Sequence, residues 1–272
     1  MGEVILASEE CDVANEVICA PTDVKELFEF DEAIFTVFGV GVTKTIFLMF
    51  LAAFVVVALL YFGLRKRQLV PSKFGSAIEA LLEFVRDGIA KDVIGPEGYK
   101  YVPYLTAIFF FILVGNLFEV TPFINFPITS RMAIPAFLAI VTYVIFIFMG
   151  FAKNGFRYLI DTIWPMHVPI GLRWLVGLIE LVSVFLLRPF TLAVRLFANM
   201  VAGHLMLTLL LGSGVIFLTA VGDIGIRALI GIPWFVLGVA IFVFEVVVSV
   251  LQAYIFTLLS AVYIQSSIQF EH

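Results

Sequence analysis

Six stretches of this chain are apolar enough to seek a bilayer or its surface, and their polar interruptions predict the architecture. Ile46 to Leu64 is long enough to cross the ~30 Å hydrocarbon core once. Residues 71–95 differ. Phe74, Ile78, Leu81, Leu82, Val85 and Ile89 recur at helical spacing beside Lys73, Glu79, Glu83, Arg86 and Asp87, which predicts an amphipathic helix on the membrane surface. Residues 101–117 and 133–151 read as two further spans, separated by a loop carrying Pro122 and Pro127. Residues 171–211 and 218–269 are each far longer than a perpendicular crossing needs, so these helices must tilt, bend or break. Pro189 and Pro233 are the candidate bending points, since each lacks a backbone donor. The polar turn VGDIGIR around Asp223 joins the two as an antiparallel hairpin. The expected fold is all-α and polytopic: five membrane-crossing helices and one surface helix, in one membrane domain spanning 1–272.

Composition narrows the class. The chain is 62% hydrophobic and 14% charged, which excludes an ordinary soluble domain. An outer-membrane barrel would show alternating segments of about ten residues instead of continuous runs. Nothing basic enough for nucleic acid is present. Acidic residues crowd residues 1–42, where Glu3, Glu9, Glu10, Asp12, Glu16, Asp23, Glu26, Glu29, Asp31 and Glu32 face one base, Lys25. That start lacks the basic-then-apolar pattern of a cleavable signal. Arg65, Lys66, Arg67 and Lys73 follow the first span, and Lys153 and Arg157 follow the third. Positive residues stay in the cytoplasm, so the N-terminus is expected outside and the C-terminal His272 inside, in a cell membrane. Cys11 and Cys19 then lie in an oxidising compartment, where a disulfide is permitted; free or metal-binding thiols are the alternatives.

Charge at membrane depth is the chemistry-bearing feature. Arg195 stands inside an apolar run at a cost of about 2.5–3.5 kcal/mol even on the lenient insertion scale. Glu180, Ser183, Arg188, Asn199 and His204 lie on the same segment, and Glu245, Ser249, Gln252 and Ser266 on the next. Three pairs, Arg195 with Gln252, Asn199 with Ser249 and His204 with Glu245, are centred near residue 224, where the turn falls independently. The expectation is matching layers, with the His204–Glu245 layer roughly 10–13 Å further out than Arg195–Gln252. Seven residues separate Arg188 from Arg195, so they share a face; His204 lies about half a turn away. Arg188 can instead snorkel, or bond carbonyls freed near Pro189. The serines read equally as helix-packing residues.

These residues carry a resemblance. LRPFTLAVRLFANMVAGHL, followed by LQAYIFTLLSAVY, is similar to the bacterial membrane stator subunit a of rotary F-type ATP synthases, and GNLFEVTPF resembles that family's third-helix segment. The resemblance implies that Arg195 is the essential arginine. It implies an outer half-channel lined by Asn199, His204, Glu245 and Gln252, and an inner one by Glu180 and Ser183. It also implies partners: a rotating c-ring, b-type peripheral stalk subunits and the remaining ATP synthase subunits. Protons would enter from outside, neutralise a c-ring carboxylate, and leave inward after Arg195 draws that site to ionise. H⁺ is the expected ion. No cofactor or metal is implied. The chain departs from the family by one extra residue between Glu180 and Arg188.

Other classes fit less well. A secondary ion antiporter would show an internal repeat with paired broken helices, and none is evident. Haem ligation needs two histidines at ligating separation, and His167, His204 and His272 do not supply them. No phosphate-binding glycine loop is present, so ATP chemistry must reside on partners.

Overall fold

The computed structural model describes residues 11–13, 15–19, 35–37, 40–65, 72–121, 124–164 and 169–268. Most of the acidic N-terminal residues lie outside these, as do Lys66, Arg67, Pro71, Pro122, His167 and His272. In chain order a small antiparallel ribbon comes first, β1 (Phe35–Val37) paired with β2 (Val40–Val42). Seven longer helices follow: α1 (Lys44–Leu64), α2 (Lys73–Glu83), α3 (Val102–Val120), α4 (Ala133–Asn154), α5 (Arg157–Ile163), α6 (Ile170–Val182) and α7 (Arg188–Thr219). The short α8 (Val221–Ile224) and a 3-10 turn (Gly225–Ile230) lead to α9 (Gly231–Ile268). Among the described residues, five helical stretches are long and apolar enough to cross a membrane. The protein is an all-α polytopic membrane protein with a long C-terminal helical hairpin.

Several expected boundaries move, each for a physical reason. The surface helix starts at Lys73, capped by Ser72, whose Oγ accepts from the Gly75 N–H at 3.2 Å; such a cap contributes about 1 kcal/mol. From Phe84 to Ile94 the helix widens to π geometry. Ile78, Val85 and Ile89 are buried as the periodicity predicts, but Phe74 is exposed. The span placed at 101–117 continues to Val120, so Glu119 lies inside the helix. The arm placed at 171–211 runs on to Thr219, and the arm placed at 218–269 begins only at Gly231. Leu211-Gly212-Ser213-Gly214 lies within α7 and serves packing. A Cβ on Gly214 would meet the Phe235 backbone at 2.6 Å, so the glycine sets how closely two helices approach.

Pro233 falls in the first turn of α9, where a missing N–H costs nothing, so it starts a helix and does not bend one. Pro189 behaves differently. Directly before it, Ser183–Leu187 forms a π turn. The proline ring crowds the carbonyl four residues back, and a wider turn relieves that contact. A π turn also takes up one residue, which accounts for the extra residue between Glu180 and Arg188.

The described chain sorts into two compact units, each built from three segments. The first comprises Met1–Ala53, Leu113–Arg131 and Ala198–Leu251. The second comprises Phe54–Ile112, Met132–Phe197 and Gln252–His272. In the first, Cys11 and Cys19 are joined by a disulfide, which closes the free-thiol and metal-thiol alternatives. Cys19 packs against Ile216 and Phe217. Its backbone N–H donates to Ser213 Oγ at 2.9 Å, and that hydroxyl donates back to the Cys19 carbonyl at 3.3 Å. Trp234 Nε1 donates to the Val17 carbonyl at 2.9 Å. Trp234 therefore holds the disulfide loop as well. In the second unit Tyr158, on α5 outside the spans, is buried, and burial pushes its phenol up.

Candidate functional site

In the first unit the polar residues gather where α7 and α9 run antiparallel. Gly203 lies so close to Glu245 that a Cβ there would collide with the carboxylate. Close contacts of Gly214 with Phe235 and of Gly238 with Leu211 continue the same register. The hairpin is thus centred near residue 224–225, as the sequence pairs predict. Glu245 sits beside Gly203, one residue from His204, and both side chains are buried.

The imidazole, however, has a carboxylate neighbour that the sequence reading did not include. His204 Nδ1 is 3.8 Å from Glu119 Oε1, with both side chains fully buried. Phe126 meets the imidazole ring edge-on at 6.2 Å, and Lys44 Nζ lies over the Phe126 ring, 5.4 Å from its centroid. The expected two-residue pair is therefore a three-residue cluster. Both oxygens of Glu119 and one of Glu245 accept no hydrogen bond among the described residues. Buried carboxylates without protein donors are open acceptors for a proton or for water. Ser249 is fully buried, whereas Asn199 is exposed.

The second unit holds the remaining candidates. Arg195 is exposed, while Leu192, Ala193 and Leu196 around it on α7 are buried. Gln252 is buried. Arg188 has partners on α9 in place of the carbonyls near Pro189. Its Nη1 donates to Ser266 Oγ at 2.8 Å, and its guanidinium stacks over Tyr263 at 5.2 Å. Ser266 thus has a polar role beyond packing. Glu180 and Ser183 are half-buried, Ser183 within the π turn.

Comparison with known proteins now adds to this geometry. Residues 46–265 match the ATP synthase A chain family. The chain belongs to the ATP synthase A chain family. It is similar to ATP synthase subunit a of Rhodococcus erythropolis, 41% identical over 216 residues that cover 79% of this chain and 76% of the relative. Subunit a of Frankia alni is 39% identical over 267 residues, 93% of this chain and 86% of the relative. That of Nocardioides sp. is 40% identical over 240 residues, 86% and 85% respectively. As a family member the chain is a proton-translocating, multi-pass membrane component of F-type ATP synthase and is not catalytic on its own.

Glu119 escaped the sequence reading because a carboxylate ends an apolar run when spans are drawn by hydropathy. Its signal was the spacing Asn116-x-x-Glu119, two polar groups on one helix face directly after a long apolar stretch. Asn116 is fully buried and accepts at Oδ1 from the Thr129 hydroxyl at 2.6 Å.

Proposed function

We propose that this chain forms two offset half-channels beside a rotating c-ring in a bacterial cell membrane, with its N-terminus outside and its C-terminus in the cytoplasm. Protons enter from outside through the cluster of Glu119, His204 and Glu245, with Asn199, Ser249 and Gln252 along the way. They neutralise carboxylates on the c-ring, which carries them round through lipid. Release runs inward past Glu180 and Ser183, and b-type peripheral stalk subunits hold the chain against the torque.

The observation that carries this reading is the exposure of Arg195 beside buried Leu192, Ala193 and Leu196. A guanidinium keeps its proton under all working conditions. Turned away from its own unit within an apolar helix, it needs an anion supplied from outside the chain. A c-ring carboxylate meets that need, because a nearby positive charge favours the ionised form and so drives proton release. The same charge opposes a direct proton leak. Each proton crossing 100 mV makes about 2.3 kcal/mol available to rotation.

The test is Arg195→Ala in membrane vesicles. The complex is expected to assemble, while ATP-driven proton pumping and proton-driven ATP synthesis are both lost. Normal coupled synthesis by that variant would overturn the proposal.

A further inference from the structure

Thr129 has no part in the pathway described above, yet its placement bears on it. It lies in the 3-10 turn Ile128–Ser130 and is buried, as are Ile128 and Ser130. Ile128 packs at Gly115, where an added Cβ would meet its side chain at 3.4 Å, so the turn is fixed against α3. From that position the Thr129 hydroxyl donates to Asn116 Oδ1 at 2.6 Å. With its oxygen engaged, the amide has its nitrogen to offer. Asn116 Nδ2 is buried and has no acceptor among the described residues. Asn116 precedes Glu119 by three residues and so shares its face of the helix.

The chemistry around Glu119 lacks donors. Ionised Glu119 and Glu245 only accept, and the imidazole of His204 offers at most two N–H groups. An unengaged amide N–H in the same buried region supplies what the carboxylates want. Left to rotate, the amide would present its oxygen as readily as its nitrogen, and a carbonyl beside a carboxylate is repulsive. The hydroxyl of Thr129 removes that freedom.

We propose that Thr129 is a positioning residue for proton uptake: its hydroxyl holds the Asn116 amide oxygen, so that the amide presents its N–H, and not its carbonyl, on the face of α3 that carries Glu119. The N–H reaches that carboxylate through water and not by a direct bond. This rests on the outer half-channel reading given above. Among the described residues, the titratable groups about Glu119 are His204 from α7, at 3.8 Å, and Glu245 from α9; Lys44, at the start of α1, lies over the Phe126 ring. An N–H beside a carboxylate favours its ionised form. Losing the orientation therefore moves the acid limb of proton conduction to higher pH.

The experiment uses the complete ATP synthase reconstituted in liposomes, with assembly checked by co-purification and ATP-driven proton pumping measured across pH. Thr129→Val, close to isosteric, is expected to slow pumping about two- to tenfold, the range one hydrogen bond's net contribution converts to. It should also raise the half-maximal pH of the acid limb by about half to one pH unit. Thr129→Ser restores the hydroxyl and is expected to restore both. Should Thr129→Val fail to assemble, Asn116→Leu, which removes the amide itself, must show the same raised limb. An unmoved pH limb in the assembled variant, or a serine variant that behaves like valine, overturns the proposal. Glu119→Gln separates the two levels of argument. If it leaves pumping unchanged, the outer pathway itself is wrong; if it slows pumping while Thr129→Val does not, only the positioning role falls.

Discussion

The two compact units treat charge in opposite ways. In the first, Glu119, His204 and Glu245 are buried, and both oxygens of Glu119 and one of Glu245 are left without hydrogen bonds from the described residues. In the second, charges either reach the surface or are matched. Arg195 is exposed, Arg188 is bonded to Ser266, and Lys153 pairs with Glu97 at 2.8 Å. Burial of an unmatched polar group costs of order 1–3 kcal/mol, so selection for stability alone would have replaced the first cluster with apolar side chains. Matched or exposed charges carry no such penalty. On the proposed pathway, the difference separates groups that must change protonation from groups that must keep it. A site that hands protons on has to leave its acceptors open, whereas a permanent cation needs only the right place.

That contrast breaks most sharply if the buried cluster does not act as a unit. Glu119→Gln and His204→Ala are each expected to slow proton uptake by about a hundredfold, the low end of what a positioned acid or base contributes. The double variant should be no slower than the worse single one, because residues that act together are not additive. Multiplied losses, measured as pumping rates in vesicles at matched protein content, would show that the two lie on separate routes.

The disulfide loop is the next largest effect. A crosslink across the short segment from Cys11 to Cys19 stabilises by about 2–3 kcal/mol on the chain-entropy account. The loop is also held by Ser213 and Trp234. Cys11→Ser with Cys19→Ser should therefore loosen the turn end of the hairpin without touching the charge cluster. Tryptophan fluorescence reports it, since Trp234 loses its acceptor at Val17. A thermal unfolding midpoint unchanged by the double substitution would mean that Ser213 and Trp234 hold the loop alone.

Arg188→Ala comes third. It removes a charge-assisted bond to Ser266 and a ring contact with Tyr263 from a half-buried site. The expected loss is about 1–2 kcal/mol of stability with coupled pumping retained. Loss of pumping as complete as that expected for Arg195→Ala would erase the distinction between a structural and a functional arginine on one helix.

Sequence and structure agree where one residue's chemistry decided the matter. The hairpin register was legible because polar pairs on the two arms share one centre, which the close approach of Gly203 and Glu245 reproduces. The cysteines were legible as a pair that a disulfide could join, and the structure supplies the bond. Failures came where one residue type has two uses. Glu119 falls just past the span placed at 101–117, because a buried carboxylate and a span-ending one look alike in sequence. Ser213 and Gly214 have turn composition, but they lie mid-helix, one bonded to Cys19 and the other allowing Phe235 to approach. Thr129 gave no signal, because its role depends on a loop folding back onto Asn116. The ribbon of β1 and β2 falls in a segment whose acidity dominated its reading.

The smallest effect concerns matched charge at the surface, where the contrast predicts almost nothing. Arg86 Nη2 lies 2.7 Å from Asp87 Oδ2 and 3.8 Å from Glu83 Oε1, on the surface helix outside the spans. The hydrogen bond from Arg86 holds the Asp87 carboxyl below its usual value, with the guanidinium's charge adding to it. A carboxyl lowered in the folded state stabilises that state above its unfolded value. The contribution fades as pH falls through the lower, folded value. Both side chains are well exposed, so solvent and salt screen the pair and its effect should sit at the edge of detection. Amide hydrogen exchange over residues 84–92 should therefore quicken only slightly on acidification below the usual carboxylate range. Arg86→Ala should remove that slight dependence, and raised salt should remove most of it. A large acid-induced opening of this helix that Arg86→Ala abolishes would show that an exposed ion pair matters here as much as a buried one, and the contrast between the units would fail.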